Sequence, residues 1–357
     1  MALDTQNYGL IREGAGNAVL RRIPVPQLRD DYILVRTVAI ALNPTDWTTL
    51  DARGDDGTLV GCDYAGIVEA VGKAVKKPFK KGDRVAGFGH GGNDANPENG
   101  AFARYIAVKG DIQMHIPDAV GFEAACTVGV GVATTGYALY HVLGLPLPVL
   151  GSVENTGDGP EPILIYGGST ATGTIAIQFA KLSGLKVITT CSSKYFGMMK
   201  DLGADLVYDY HDTKVGETIR AATEGKLKNV FDTVTVESSA AICADAIGPN
   251  GGVYCNLLGL NCPRQDVQST FFLGYGISGE SYIFEGDKYE ARPEDLAFAS
   301  EFLALAAKLW AEGHLKPHPK RTGPGGLLGA ISGMQEMREG KVSGQKLVYR
   351  VEETRWP

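Results

Sequence analysis

Residues 163–173 read ILIYGGSTATG and run directly into an apolar stretch with helical spacing, so a strand, a glycine-rich turn and a helix start follow one another without a break. The four apolar or aromatic residues 163–166 suit a buried parallel strand. The small residues 167–173 let backbone amides approach a pyrophosphate at a helix N-terminus, where a bulky side chain would block the ligand. The dinucleotide fingerprint is imperfect: with Gly168 and Gly173 as the outer glycines of G-x-G-x-x-G, Thr170 stands at the middle one. Taken alone, the same letters also describe an ordinary strand-to-helix turn.

The downstream pattern sets the class. Residues 187–191 (VITTC) predict a second strand, 195–202 a helix and 206–210 (LVYDY) a third strand. Helix 214–224 then precedes strand 230–236, and helix 238–247 precedes strand 252–258. Such alternation predicts an α/β domain built on a Rossmann-type, doubly wound parallel sheet. In these sheets an acid at the end of the second strand, about 20 residues past the glycine turn, binds the ribose 2′-hydroxyl of NAD. Residues 191–195 read CSSKY, with no acid. Ser192, Ser193 and Lys194 offer hydroxyls and an ammonium suited to a 2′-phosphate, so NADPH is the expected coenzyme. The plainer alternative is a polar, solvated loop that lacks an acid.

At 357 residues, 44% hydrophobic and 21% charged, the chain is long enough for two domains of ordinary globular composition. No run approaches the roughly 20 apolar residues of a membrane helix, and MALDTQ has neither the basic start nor the apolar core of a signal peptide, so a cytoplasmic location is expected. The six cysteines, at 62, 126, 191, 243, 255 and 262, show no C-x-x-C spacing, which argues against a disulfide framework or a zinc knuckle. A net charge of −7 argues against nucleic acid as a partner.

The first 130 or so residues are rich in strands and turns. Residues 32–40, 66–71 and 101–108 have strand character, and Gly, Asp and Pro clusters separate them, which predicts a small β-barrel-like domain. The stretches NPTD (43–46), GCDYAG (61–66) and GDRV (82–85), placed ahead of the glycine turn, resemble the medium-chain dehydrogenase/reductase superfamily in order and approximate spacing. That resemblance implies a GroES-like β-barrel domain over 1–131, a coenzyme-binding Rossmann domain over 132–276, and a return to the first domain over 277–357, with the coenzyme in the cleft between the two. The tail 325–350 resembles the family's last helix, turn and strand, with Val342 and Ser343 near the coenzyme. Zinc-dependent members carry a histidine in a G-H-E pattern and a four-cysteine lobe. Here Cys62 and Asp63 stand in the first place and the lobe is missing. A catalytic zinc needs about three protein ligands, so no metal is expected and the chain resembles the zinc-free quinone and enoyl reductase branch.

Within that branch, VLGLPLP (142–148), the polar loop 151–160 and YGGSTAT (166–172) resemble the trans-acting enoyl reductases of fungal polyketide synthases. The resemblance implies a pyrophosphate held by Gly168, Ser169, Thr170, Ala171, Thr172 and Gly173. It places Ser192, Ser193, Lys194, Tyr195 and Tyr210 around the adenosine 2′-phosphate, Leu257 and Leu258 near the nicotinamide, and Asp46, Trp47 and Thr48 against it from the other domain. Thr134, Thr135, Gly136, Tyr137 and His141 would border the substrate, and the segment 274–281, including Ile277, Ser278, Gly279, Glu280 and Ser281, would line the acyl pocket. Asn43, Thr48 and Thr134 are the candidate catalytic donors. Some relatives have lysine in place of Thr48, and a threonine hydroxyl is a weak acid, so water is an alternative source of the proton. Thr134 equally suits a helical threonine bonded to a carbonyl one turn back.

The implied partner is an acyl carrier domain bearing a phosphopantetheine-linked enoyl chain. Two basic runs, Lys73, Lys76, Lys77, Lys80, Lys81 and Arg84, and Lys316, His318, Lys320 and Arg321, are either cations for such a partner or solvated turns. A free-standing quinone or enone reductase and a non-enzymatic NADPH-binding sensor share the fold and stand as alternatives.

Overall fold

A computed structural model describes residues 6–52, 54–149 and 159–357, so residues 151–158 of the polar loop lie outside the described residues. The chain forms two compact units. One comprises Met1–Ala133, Tyr275–Gly313 and Pro317–Pro357, and the other Thr134–Gly274 with His314–Lys316.

The second unit holds a six-stranded sheet in the order Leu206–Asp209, Lys186–Cys191, Pro162–Tyr166, Asn229–Asp232, Gly252–Asn256 and Val267–Phe271. All five pairings are parallel. Chain order reverses between Pro162–Tyr166 and Asn229–Asp232, the switch point at which doubly wound sheets bind ligands. Ile163, Leu164 and Ile165 are wholly buried, as a strand covered on both faces requires. Leu164, Ile188, Val230 and Tyr254 pack with Ile219, Ala240 and Cys243 in one core.

Two strands stop earlier than the sequence predicts, at Asp232 and Asn256, because these side chains bond the backbone of the next residues and turn the chain. The helix expected over 195–202 is Phe196–Asp201, entered through a 3₁₀ turn at Ser193–Tyr195. The sixth strand, Val267–Phe271, lacks the apolar run that marks the others.

The first unit is built on a seven-stranded sheet. Its main path runs Lys320–Gly323, Lys346–Arg350, Tyr32–Ala41, Asp63–Val71, Arg84–Phe88 and Met114–His115, with Tyr105–Lys109 also pairing to Tyr32–Ala41. The long strand Tyr32–Ala41 gives its first half to Tyr105–Lys109 and its last residues to the C-terminal strand, so the tail completes the sheet that the N-terminal residues begin. Register shifts at Leu34/Val35 and Thr37/Ala39 mark bulges that bend it. Leu10, Ile33, Ile40, Tyr64 and Phe102 share a core with Leu327 and Met334 of the tail helix Gly326–Arg338. No helix among the described residues is long and apolar enough to cross a membrane.

Candidate functional site

In the second unit, the glycine turn and the helix Ala171–Leu182 follow the strand Pro162–Tyr166 at the switch point. Gly167 has φ +80, a conformation that other residues seldom adopt. A Cβ on Gly168 would lie 2.1 Å from Thr189 Oγ1 and one on Gly173 would lie 2.3 Å from the Gly167 carbonyl oxygen, so neither position has room for a side chain. Thr170, at the middle-glycine position, caps the helix: its Oγ1 accepts from the Gly173 amide at 2.9 Å and bonds Thr233 Oγ1 at 2.8 Å. Thr233 Oγ1 in turn donates to the Tyr166 carbonyl at 2.8 Å. A threonine is accommodated because its side chain turns inward to close the turn. Ser169, Ala171 and Thr172 are half-buried, and the helix carries no acid in its first turn. A tight turn of small residues at a helix N-terminus fits the phosphates of a dinucleotide.

At the end of the next strand, Ser192 Oγ donates to Tyr210 Oη at 3.3 Å, and the Lys194 ammonium stands 4.8 Å from the centre of the Tyr195 ring. Four of the five residues expected near a 2′-phosphate thus meet in two pairs. The fifth, Ser193, donates its amide to Asp209 Oδ2 at 3.2 Å. Sequence reasoning missed Asp209 because it belongs to the neighbouring strand, where parallel register sets it opposite Cys191. Leu257 and Leu258 sit on a turn organised from behind. Asn256 Oδ1 accepts from the amides of Leu258 at 3.2 Å and Gly259 at 2.8 Å, and Thr235 Oγ1 accepts from that of Leu257 at 3.2 Å. Leu258 is 72% exposed. Asp232 braces the adjoining turn, accepting from Tyr254 Oη at 2.7 Å and from the amides of Val234 and Thr235 at 2.9 Å each. Thr134 is half-buried beside Gly274, Thr135 is fully buried with no hydrogen bond to its hydroxyl, and Gly136 is buried at the end of the helix Gly129–Gly136. The chain then continues as a π-helix, Tyr137–Val142, in which the Tyr137 ring lies 4.5 Å from His141 and 4.9 Å from Phe272.

In the first unit, the helix Pro44–Asp51 carries Asp46, Trp47 and Thr48. Thr48 is exposed, Trp47 is half-buried against the core, and Asp46 is buried. Asp46 Oδ2 accepts from the Asn43 amide at 2.7 Å, and Asn43 Nδ2 donates to Asp63 Oδ2 at 3.0 Å. Asp63 Oδ1 accepts from the Val130 amide at 2.7 Å, and the buried ammonium of Lys346 closes on Asp63 Oδ2. One carboxylate therefore holds together residues 43, 63, 130 and 346, a convergence that no local spacing announces. Val342 is half-buried against the core, and Ser343 is exposed.

In the segment 274–281, Tyr275 stacks on His90 with ring centroids 3.8 Å apart and bonds Thr45 through its hydroxyl. Ile277 is buried, Gly279 is half-buried with φ +68, and Ser281 is exposed. Ser278 Oγ donates to the Tyr275 carbonyl at 3.2 Å. Glu280 accepts from Lys109 at 2.9 Å and from Tyr32 Oη at 2.7 Å, so its carboxylate is engaged within the unit. The basic runs are largely engaged too: Lys77 donates to the Gln113 carbonyl at 2.8 Å, Lys81 pairs with Glu69 at 3.0 Å, Arg84 bonds the carbonyls of Pro117 and Asp118, and His318 is buried.

Burial pushes the Asp46 carboxyl up to about 7, against the Asn43 amide, which lowers it. The folded chain therefore keeps a proton on Asp46 between about pH 4 and 7 that the unfolded chain releases, so this group makes stability fall as pH rises through that window. Denaturant melts at stepped pH should show the Asp46→Asn variant gaining on the wild type from pH 4 to 7, by an amount on the order of a few kcal/mol. A difference that stays constant across the window excludes a raised carboxyl. The buried imidazoles of His90 and His318 act in the opposite sense: burial holds both down to about 3, so their contribution is lost as pH falls below 6.5.

Two family models match. One, described as "Zinc-binding dehydrogenase", covers residues 171–277, and the other, "Alcohol dehydrogenase GroES-like domain", covers residues 29–118. A zinc does not fit the residues present. Among the described residues no three His, Cys, Asp or Glu side chains stand together as a metal site, and the Asp63 carboxylate already holds a lysine ammonium. The chain is 45% identical to "Trans-enoyl reductase ACTTS2" of Alternaria alternata, over 96% of this chain and 98% of that protein. It is 51% identical to "Trans-enoyl reductase TOXD" of Cochliobolus carbonum, over 78% of this chain and 92% of that one. Among solved structures, an alcohol dehydrogenase superfamily protein from Novosphingobium aromaticivorans superposes with a TM-score of 0.78 at 22% identity, covering 97% of this chain and 99% of that one, and so shares the fold.

Proposed function

The chain belongs to the trans-enoyl reductases of the medium-chain dehydrogenase/reductase superfamily, oxidoreductases that use a nicotinamide coenzyme, and on that premise we propose that it uses NADPH to reduce the α,β-unsaturated thioester of a carrier-bound polyketide intermediate. Similarity along nearly the whole chain to proteins named for that activity carries the reading. NADPH is favoured by the Ser192, Lys194, Tyr195 and Tyr210 cluster beside an acid-free 191–195 stretch.

Residues 167–173 would hold the coenzyme, whose chemistry when bound would be to provide a hydride for the β-carbon. The chain's own tasks are to fix the two reacting carbons, to stabilise charge on the thioester oxygen, and to admit a proton to the α-carbon. Thr48, Thr134 and Asn43 are the proposed donors. One Asn43 N–H is already given to Asp63, which fixes the direction of the amide. Thr48 and Thr134 are neutral hydroxyls, and a single neutral hydrogen bond contributes a factor of roughly two to ten. Thr48→Ala and Thr134→Ala should therefore each lower turnover within that range. Abolition of turnover with NADPH binding intact would assign the residue an indispensable proton transfer instead.

The thioester would arrive on the phosphopantetheine arm of an acyl carrier domain. Comparing a pantetheine-linked enoyl thioester with simple quinones tests this. The proposal expects much higher kcat/KM for the thioester, and the reverse order points to a free-standing quinone reductase.

A further inference from the structure

Residues 191–195 contain no acid, yet the parallel register brings Asp209 to the same place from the adjacent strand, opposite Cys191 and against the Ser193 amide. An acid at the end of a strand beside the adenosine ribose accepts the 2′-hydroxyl of NAD and repels the 2′-phosphate of NADP. Here it is covered. Asp209 Oδ1 accepts from the backbone amide of His211 at 3.0 Å and from its Nδ1–H at 2.6 Å, and Oδ2 accepts from the Ser193 amide at 3.2 Å. Both lone pairs of Oδ1 are therefore engaged. These His211 bonds hold the Asp209 carboxyl below its ordinary range, so the group is charged and its coverage matters. Tyr210 completes the arrangement, with its ring 4.1 Å from the His211 imidazole and its hydroxyl accepting from Ser192 at 3.3 Å. Ser192, Tyr210, His211, Asp209 and Ser193 thus form a closed circuit of contacts joining the ends of two strands, with Lys194 on the same loop.

We propose that Asp209 and His211 are specificity-determining residues for the coenzyme, His211 covering an acid that would otherwise select NAD. The inference rests on the nucleotide site proposed above. In His211→Ala the backbone amide of residue 211 still donates to Asp209 Oδ1, but the lone pair that accepts from the imidazole would be free for a ribose hydroxyl, and the carboxylate would lose the ring that stands between it and a 2′-phosphate. Without Asp209 there is nothing to cover.

Isothermal titration of NADPH and NADH into the full-length wild type, His211→Ala, Asp209→Asn and the double variant tests this without catalysis. The expected result is a preference for NADPH that falls about five-fold in His211→Ala, the effect of one exposed charge near 4 Å in water. The same preference should be kept or raised in Asp209→Asn, with the double variant resembling Asp209→Asn. Parallel weakening of both dinucleotides at an unchanged ratio would mean that the pair only shapes the loop, and it overturns the proposal, as does a double variant that behaves like His211→Ala. A wild type that prefers NADH contradicts the NADPH reading alone. In that case a further fall of the ratio in His211→Ala still supports the covering role, and no change overturns it.

Discussion

Gly173→Ala is expected to weaken binding of the proposed coenzyme, NADPH, about 100-fold or more, and Gly173→Val to weaken it further. The added Cβ would meet the Gly167 carbonyl oxygen at 2.3 Å and Gly168 Cα at 2.9 Å. Both belong to the backbone, so no side-chain rotation relieves the contact. The helix start must instead move away from the turn by about an ångström, and misplacement of that size in a preorganised site costs roughly 100-fold. Thr170 transmits the shift, because its hydroxyl caps the helix at the Gly173 amide and bonds Thr233 across the turn. Fluorescence titration with NADPH reads the loss, and far-ultraviolet circular dichroism confirms that the sheet persists. An alanine variant that binds within three-fold of wild type would show that the turn yields freely, and the cradle assigned to residues 167–173 would be wrong.

Lys346→Met should be the most destabilising single change at a polar residue. Its side chain is 4% exposed, and its ammonium meets an Asp63 carboxylate whose side chain is fully buried. Removing the lysine leaves that charge with only the Asn43 and Val130 N–H groups, and stranding one partner of a buried pair costs about 3–5 kcal/mol. For a chain of this size that lowers Tm by roughly 4–7 °C. The Asp63→Asn, Lys346→Met double variant should recover most of the loss, since no buried charge then lacks a partner. Scanning calorimetry of the wild type and the two variants distinguishes the cases. A Lys346→Met protein within 1 kcal/mol of wild type would mean that water reaches Asp63.

The glycine turn was legible because strand, turn and helix start are consecutive residues whose conformations follow from side-chain size. Strand–helix alternation likewise announces the doubly wound sheet, and the expected strand ends differ by more than one residue where Asp232 and Asn256 bend the backbone with their own side chains. Asp209 escaped notice because the relevant distance runs across strands: Asp209 and Cys191 are 18 positions apart in the chain and neighbours in the sheet. The Asp63–Lys346 pair, 283 residues apart, and the Glu280–Lys109 pair, 171 apart, depend on the tail returning to the first sheet, which the family resemblance implied without naming the side chains that meet. The position of Thr170 in the turn follows from its neighbours, but its inward capping role is a rotamer choice that composition does not reveal.

A single turnover with NADPH deuterated at the transferable position of the nicotinamide, a pantetheine-linked enoyl thioester and the wild-type protein follows the hydride and the proton separately when the product is analysed by mass spectrometry and NMR. The account predicts a saturated thioester with one deuterium at the β-carbon and a proton from solvent at the α-carbon. Recovery of unsaturated thioester with the deuterated coenzyme unconsumed would contradict it.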